Sequence, residues 1–555
     1  MSISSKINSG WQWLLPAVLP GTALVVMPVF ASPFLGTKTV WVLMAGAVAV
    51  FGCVNGHRIP YKDFLPDSLR KFLFWSALLC ATAVVASTLH ARNWAESWHV
   101  LAPCAAAAFL LIAFIRQRIS AEAMMAAIGL SAVAVAGFAI SGHFGYDLPR
   151  LFTESAAPGR MRAASTLGNP LFVASFLSSA IWAVMALPLH RVWRIAAAVM
   201  VLAGMAATTE RTALFAFAAG TIVFALSGGA TVRQRALMLA FLIVLAGWFA
   251  SGRARNPRSL AITVQGRIFL WAHSLHQVKL LGSGPGSFYR IYNKNLREGA
   301  AAIPPSQFHF INYETDSHNI FVQALVEEGW LGLAGMLVFF GAWFRMAWLK
   351  RSDLRVCSAL TGVAVFLASG VCDDPLSRPE GMVLLAAWLA VPALPGLRDN
   401  LFADNSASFK IESSRSGITE AFPIIAPLIF ALLFSAAAIT AFTNYAVHAG
   451  ERAEDRGDWT RAERWDRAAL KFDAAQRDAR YNLVRVLARS GQYQASLAES
   501  EKALAWVNEG ELHIIRIRVL PMVGKTQQAQ EELTRARKEF PWSEELRQES
   551  VPSGN

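Results

Sequence analysis

Thr315-Asp316-Ser317-His318-Asn319-Ile320-Phe321-Val322-Gln323-Ala324-Leu325-Val326-Glu327-Glu328-Gly329-Trp330-Leu331-Gly332 joins two kinds of chain. A polar, aromatic segment from Phe308 to Asp316 ends here, and an apolar run to Trp348 begins. A His-Asn pair therefore stands where a water-exposed loop meets a membrane. Similar apolar runs recur near 13–30, 39–54, 72–88, 99–115, 122–141, 169–187, 195–209, 212–227, 237–250, 356–371, 381–396 and 422–444. A straight span needs about 20 residues, so the pattern predicts an all-α, polytopic membrane bundle of about 13 spans.

The totals agree with this class. Of 555 residues, 54% are hydrophobic and only 16% charged, and the mean hydropathy is +0.38. The net charge of +13 sits largely in short loops. Arg58, Lys62, Arg70 and Lys71 follow the second run, Arg116 and Arg118 the fourth, and Arg191 and Arg194 the sixth. Arg233 and Arg235, then Lys350, Arg351 and Arg355, continue the alternation. The positive-inside rule places these loops and the N-terminus in the cytoplasm. No stretch interleaves basic and aromatic residues in a soluble segment, so nucleic acid is not an expected partner. Cys53, Cys80, Cys104, Cys357 and Cys372 lie in or beside apolar runs without metal-ligand or disulfide spacing.

The opposite face receives 142–168, the Glu210-Arg211 turn, the long loop 251–318 and 372–380. A loop of that length usually has structure of its own. Arg267 to Leu275 has helical spacing, whereas Gly282-Ser283-Gly284-Pro285-Gly286 is a turn no helix passes through. After a polar linker at 398–421 and a last span, the chain becomes charged and helical. Gly457-Asp458-Trp459, Gly491-Gln492-Tyr493 and Gly524-Lys525-Thr526 recur at about 34-residue steps, which resembles tetratricopeptide repeats. The expected domains are thus a membrane domain at 1–445, a repeat domain at 446–545 and a tail at 546–555. The repeats suit a protein partner or a brace for a neighbouring loop.

Candidate chemistry follows from residue type and place. His318, at the loop–membrane junction, suits a general base near neutral pH. Arg211 lies on the face where orientation does not call for a basic residue. Arg267, with Arg160 and Arg162 in the earlier outer loop, adds guanidinium forks that match phosphate or diphosphate. HExxH, Walker and dinucleotide patterns do not occur, so neither a cofactor nor a metal is expected.

Four segments together resemble the O-antigen ligase / O-antigen polymerase superfamily. They are Leu167-Gly168-Asn169-Pro170, Glu210-Arg211-Thr212-Ala213, Arg267 to Trp271 with Gly282 to Phe288, and His318-Asn319 through Glu328-Gly329 and Leu331-Gly332. Glu210 stands where a small residue is usual, and Ser317 where a second His is common. The resemblance implies a lipid-donor (C-type) glycosyltransferase-like fold in the bacterial inner membrane, its active face and repeats periplasmic. It implies transfer of a glycan from undecaprenyl diphosphate to a hydroxyl on lipid, glycan or protein. His318 would be the base; Arg211 and Arg267, with Arg160 and Arg162, would cradle the diphosphate. Two readings from other classes are a transporter for the same lipid-linked glycan and a membrane-anchored scaffold. A transporter would place its charges in broken helices at mid-membrane.

Overall fold

The computed structural model describes residues 3–55, 67–146, 163–228, 257–276, 278–311, 314–395, 397 and 417–552. Among these the chain is helical and contains no strand. The first half provides α1 (Ile3–Leu24), α2 (Leu35–Asn55), α3 (Asp67–Leu89), α4 (Trp94–Arg116), α5 (Ala121–His143), α6 (Pro170–Met185), α7 (Arg191–Thr208) and α8 (Arg211–Leu226). The middle provides α9 (Pro257–Ser274), α10 (Phe288–Glu298), α11 (Ile320–Glu327), α12 (Gly329–Leu349), α13 (Leu354–Ser369) and α14 (Pro379–Ala390). Seven helices are long and apolar enough to cross a membrane: those in α2, α3, α4, α5, α7 and α12, and Pro423–Asp455 near the C-terminal end. Four shorter apolar helices, at Pro170–Met185, Arg211–Leu226, Leu354–Ser369 and Pro379–Ala393, accompany them. The expected run at 237–250, like Arg160 and Arg162, lies outside the described residues.

Local chemistry sets the ends of these helices. Asn93, Ser120, Asn169 and Asp353 each turn a side-chain oxygen onto a free backbone N–H at the start of α4, α5, α6 and α13. Pro170 fits the first position of α6 because that residue needs no N–H donor. The expected run 319–348 is not one helix. Glu328 divides it into α11 and α12, with Gly329 in the left-handed conformation at φ +74.

Packing follows the rules of a membrane bundle. Helix α2 lies along α4, α12 along α3, α13 along α6 and α8, and α5 along α6 and α7. Where α2 meets α4, a Cβ on Gly46 would run into Ala106, so the small residues let the backbones approach. Helix α14 is buried along almost its whole length and touches α1, α2, α4, α6 and α13. It is the inner post of the bundle, and the loop before it leads directly to the site.

The C-terminal part begins inside α15 (Gly417–Asp455), a 39-residue helix that contains the last apolar run and continues beyond it. It is followed by α16 (Trp459–Phe472), α17 (Arg477–Arg489), α18 (Tyr493–Ala503), α19 (Gly510–Val519), α20 (Thr526–Glu539) and α21 (Glu544–Gln548). Each packs on its neighbours in order, and Gly457, Gly491 and Gly524 all take positive φ at the turns. Glu454 near the end of α15 binds Arg485 at 2.7 Å and Arg489 at 3.1 Å, fastening that helix to α17. The expected tail from 546 starts in α21, whose Leu546 is fully buried.

Candidate functional site

The site is assembled around the break between α11 and α12. The glycine-rich turn docks onto it: Ser283 and Gly284 donate their N–H groups to the Glu327 carbonyl at 3.0 and 2.9 Å. Leu331 N–H bonds to Leu280 O at 3.2 Å, and the Glu327 carboxylate accepts from Phe288 N–H and Gln323 Nε2 at 3.1 and 2.9 Å. A Cβ on Gly282 would strike the Glu327 carbonyl, and one on Gly329 would strike the turn in return. Both glycines have positive φ, so glycine is required twice over. The Gly-x-Gly-x-Gly and Glu-Glu-Gly segments, more than thirty positions apart, are therefore two halves of one joint.

That joint presents His318. Asn319 caps α11 by accepting from Phe321 and Val322 N–H, and its Nδ2 holds Val371 O at 3.1 Å near the end of α13. With Asn319 serving the helix, His318 is left in the preceding turn at φ +50, an uncommon conformation for a residue with a side chain. Asp316 accepts the His318 backbone N–H at 3.0 Å, Trp271 Nε1 donates to Ser317 O at 2.9 Å, and Arg267 donates to His318 O at 3.3 Å. The imidazole lies between carboxylates, with Nδ1 3.1 Å from Asp316 and Nε2 3.3 Å from Glu314. The Nδ1 contact is not aligned as a hydrogen bond. Four non-glycine residues among those described have positive φ: Arg118, Ser165, Thr209 and His318. The last three each fall in or beside one of the motif segments.

Two cavities meet here. One of about 260 Å³ is lined by Arg267, His318, Glu314, Tyr292, His309 and Phe310, among others. The other, about 570 Å³, has Asp316, Glu327, Glu328, Asp374 and Arg378 at its polar part and residues such as Val84 and Met336 at its apolar part. Asp316 lines the larger and His318 the smaller, so their contact is the partition. Asp316 is also 3.5 Å from Arg378, whose guanidinium covers the Phe172 ring at 3.9 Å. Burial pushes the Asp316 carboxyl above the usual range, against the pull of Arg378 and Arg267. Burial and Asp316 likewise raise Glu314 and lift Asp373 to about 6, while Asp374 rises well above its ordinary value. Carboxyls raised in this way keep a proton to higher pH than solvated ones and suit proton transfer and hydrogen bonding to hydroxyls.

Residues 195–337 match the O-antigen ligase family. The match covers about a quarter of the chain, from within α7 to within α12, and includes Arg211, Arg267 and His318. The search of curated proteins found no match. A glycan-transferring membrane enzyme of that superfamily is the class the match supports.

Arg267 and His318 line the smaller cavity together and share the hydrogen bond from Arg267 to the His318 carbonyl. Arg211 is half-buried at the start of α8, after the left-handed Thr209, and lines neither cavity. The Leu-Gly-Asn-Pro segment serves the scaffold. Asn169 caps α6, Thr166 donates to Ala23 O at 2.7 Å, and a Cβ on Gly168 would collide with Phe34. Sequence reasoning missed Arg378 and Asp373, which lie beyond the matched residues. A signal existed: Arg378 is a basic residue in 372–380, a segment expected on the same face as His318. It also missed buried Lys38, whose Nζ donates to Val25 O at 2.9 Å at the end of α1.

Proposed function

We propose that this chain is a multi-pass transferase of about 13 spans, acting at the periplasmic face of a bacterial inner membrane. It moves a glycan from undecaprenyl diphosphate to a hydroxyl acceptor. The observation that supports this reading most is His318, displayed by a strained turn between Asp316 and Glu314 with Arg267 on its carbonyl. Lipid diphosphate leaves well once its charge is held, so the chemistry asks for guanidinium groups and a base. Arg267 and Arg211 bind the diphosphate, with Arg160 and Arg162 added from the earlier loop. His318 takes the acceptor's proton as its oxygen attacks the anomeric carbon with inversion, and Asp316 steadies the imidazolium that forms. No metal or cofactor takes part in this scheme. The acid-rich larger cavity receives the uncharged, polyhydroxylated part of the substrate, since carboxyls bond hydroxyls well and repel phosphate. In this reading 1–445 is the transferase domain and 446–545 a tetratricopeptide-like module.

Ligation to a lipid, polymerisation and transfer to protein share this chemistry and differ in the acceptor. The test uses cells lacking the chromosomal copy, complemented with wild type, His318→Ala or Arg211→Ala at matched membrane levels. Lipopolysaccharide, extracellular polysaccharide and glycoprotein are followed side by side. Loss of one product in both variants, with lipid-linked donor accumulating, supports the reading and names the acceptor. Wild-type behaviour of both variants refutes the catalytic assignment and moves a transporter or a scaffold to the front.

A further inference from the structure

The C-terminal helical module does not stand clear of the bundle. Asp473, between α16 and α17, holds His99 Nε2 of α4 at 3.0 Å. The Arg477 guanidinium lies 3.9 Å over the Tyr289 ring, and Tyr289 OH donates to Glu509. Arg297 of α10 is 3.5 Å from Glu539, and Trp542 packs edge-on against Phe308. Contacts from four places along the module thus converge on α4, α10 and the segment before the His-Asn pair. Between them, Gln476 and Asp478 reach the 570 Å³ cavity and line it together with His99 and Asn444, in the same enclosure as Asp316 and Arg378. Neither the Gln476 nor the Asp478 side chain makes a hydrogen bond or ion pair among the described residues; Asp478, exposed in the first turn of α17, acts on Arg477 through its charge. An amide and a carboxylate that line one cavity without protein hydrogen bonds of their own offer donors and acceptors together. That combination matches the neighbouring hydroxyls of a sugar.

We propose that the module is a wall of the substrate cavity, and that Gln476 and Asp478 determine specificity by hydrogen-bonding sugar hydroxyls of the glycan substrate. The inference rests on the transferase reading above. It makes the module part of the site, whatever else its outer surface binds. The recognised sugar belongs either to the lipid-linked donor or to the acceptor.

The test uses the purified full chain in liposomes. Undecaprenyl-diphosphate-linked glycan extracted from the same cells is the donor, and an envelope extract from cells lacking the chromosomal copy supplies the acceptor. Gln476→Ala, Asp478→Ala and, as control, the exposed Gln527→Ala are compared while each substrate is varied in turn. The expected result is a KM raised about five- to tenfold by each cavity variant, with kcat within about twofold, as for a lost uniform-binding hydrogen bond. The substrate whose KM moves carries the recognised sugar. An active wild type whose KM values are matched by both cavity variants overturns the inference and leaves the transferase reading intact. A wild type that transfers nothing overturns both.

Discussion

His318 and His513 both face carboxylates, and they are built for opposite purposes. His513, in α19, is 2% exposed, with Nδ1 2.7 Å from Glu532 and Nε2 2.8 Å from Asn508. Glu532 also receives Arg516 at 3.0 Å and pairs with Arg535. Burial alone would raise that carboxyl, but the bonds from His513 and the arginine charges bring it down to about 2. Both ring nitrogens of His513 and both carboxylate oxygens of Glu532 have hydrogen-bond partners. His318 has a side chain 24% exposed, a left-handed backbone and an Nδ1 without an aligned bond, beside carboxyls pushed upward rather than down. Satisfied groups hold a fold together; groups left short of partners beside a cavity are available to a substrate.

Five substitutions can break or sharpen that contrast. His318→Ala should lower transfer by roughly 10²–10⁴-fold, the usual contribution of a positioned acid–base group. Its unfolding stability should stay within about 1 kcal/mol of wild type. Transfer per membrane-inserted molecule measures the first and thermal unfolding the second; a large stability loss would make His318 a second His513. Arg267→Ala should cost roughly 10²-fold in kcat, because it removes the bond to the His318 carbonyl and, on the proposed reading, a diphosphate donor as well. Lys at 267 should recover little, lacking the planar fork.

His513→Ala should show the reverse pattern. Loss of two buried bonds predicts about 2–3 kcal/mol of stability, read by chemical unfolding, with transfer per folded molecule within about twofold of wild type. The smallest effect concerns pH. Asp373 titrates near 6 in the folded protein because burial and Asp316 disfavour its charge, against about 3.9 unfolded. Its proton is held more tightly when folded, so its contribution to stability is full below about pH 4 and is lost as pH rises through 6. Asp373→Asn should therefore flatten the fall in thermal stability between pH 4 and 7, by on the order of 2 kcal/mol. An unchanged pH profile would show that Asp373 is not strained in the fold.

Membrane class, helix positions and the order of the motifs were legible in the chain because each rests on local pattern. Apolar periodicity, capping residues and left-handed glycines act within a few positions. The break at Glu328 escaped that reading: Glu327-Glu328-Gly329 interrupts the apolar run from Ile320 to Trp348, but only docking of the 280–288 turn shows why the helix must stop there. Lys38 and Arg378 were lost among other basic residues for a related reason, since burial cannot be seen in a residue's own neighbourhood.

By itself the sequence determined an all-helical membrane chain, a structured loop before the His-Asn pair and a charged helical module after the last apolar run. It also marked His318 and Arg267 as candidates. Pairings across long separations came only with packing: Gly282 with Glu327, Asp316 with Arg378, and Asp473 with His99. A hydrogen bond or ion pair between residues far apart in the chain leaves no periodicity, and its partners are specified by the way helices pack against one another. For the same reason the sequence left a brace for a neighbouring loop only as one option for the C-terminal module, and which of its residues reach the cavity could not be read from it.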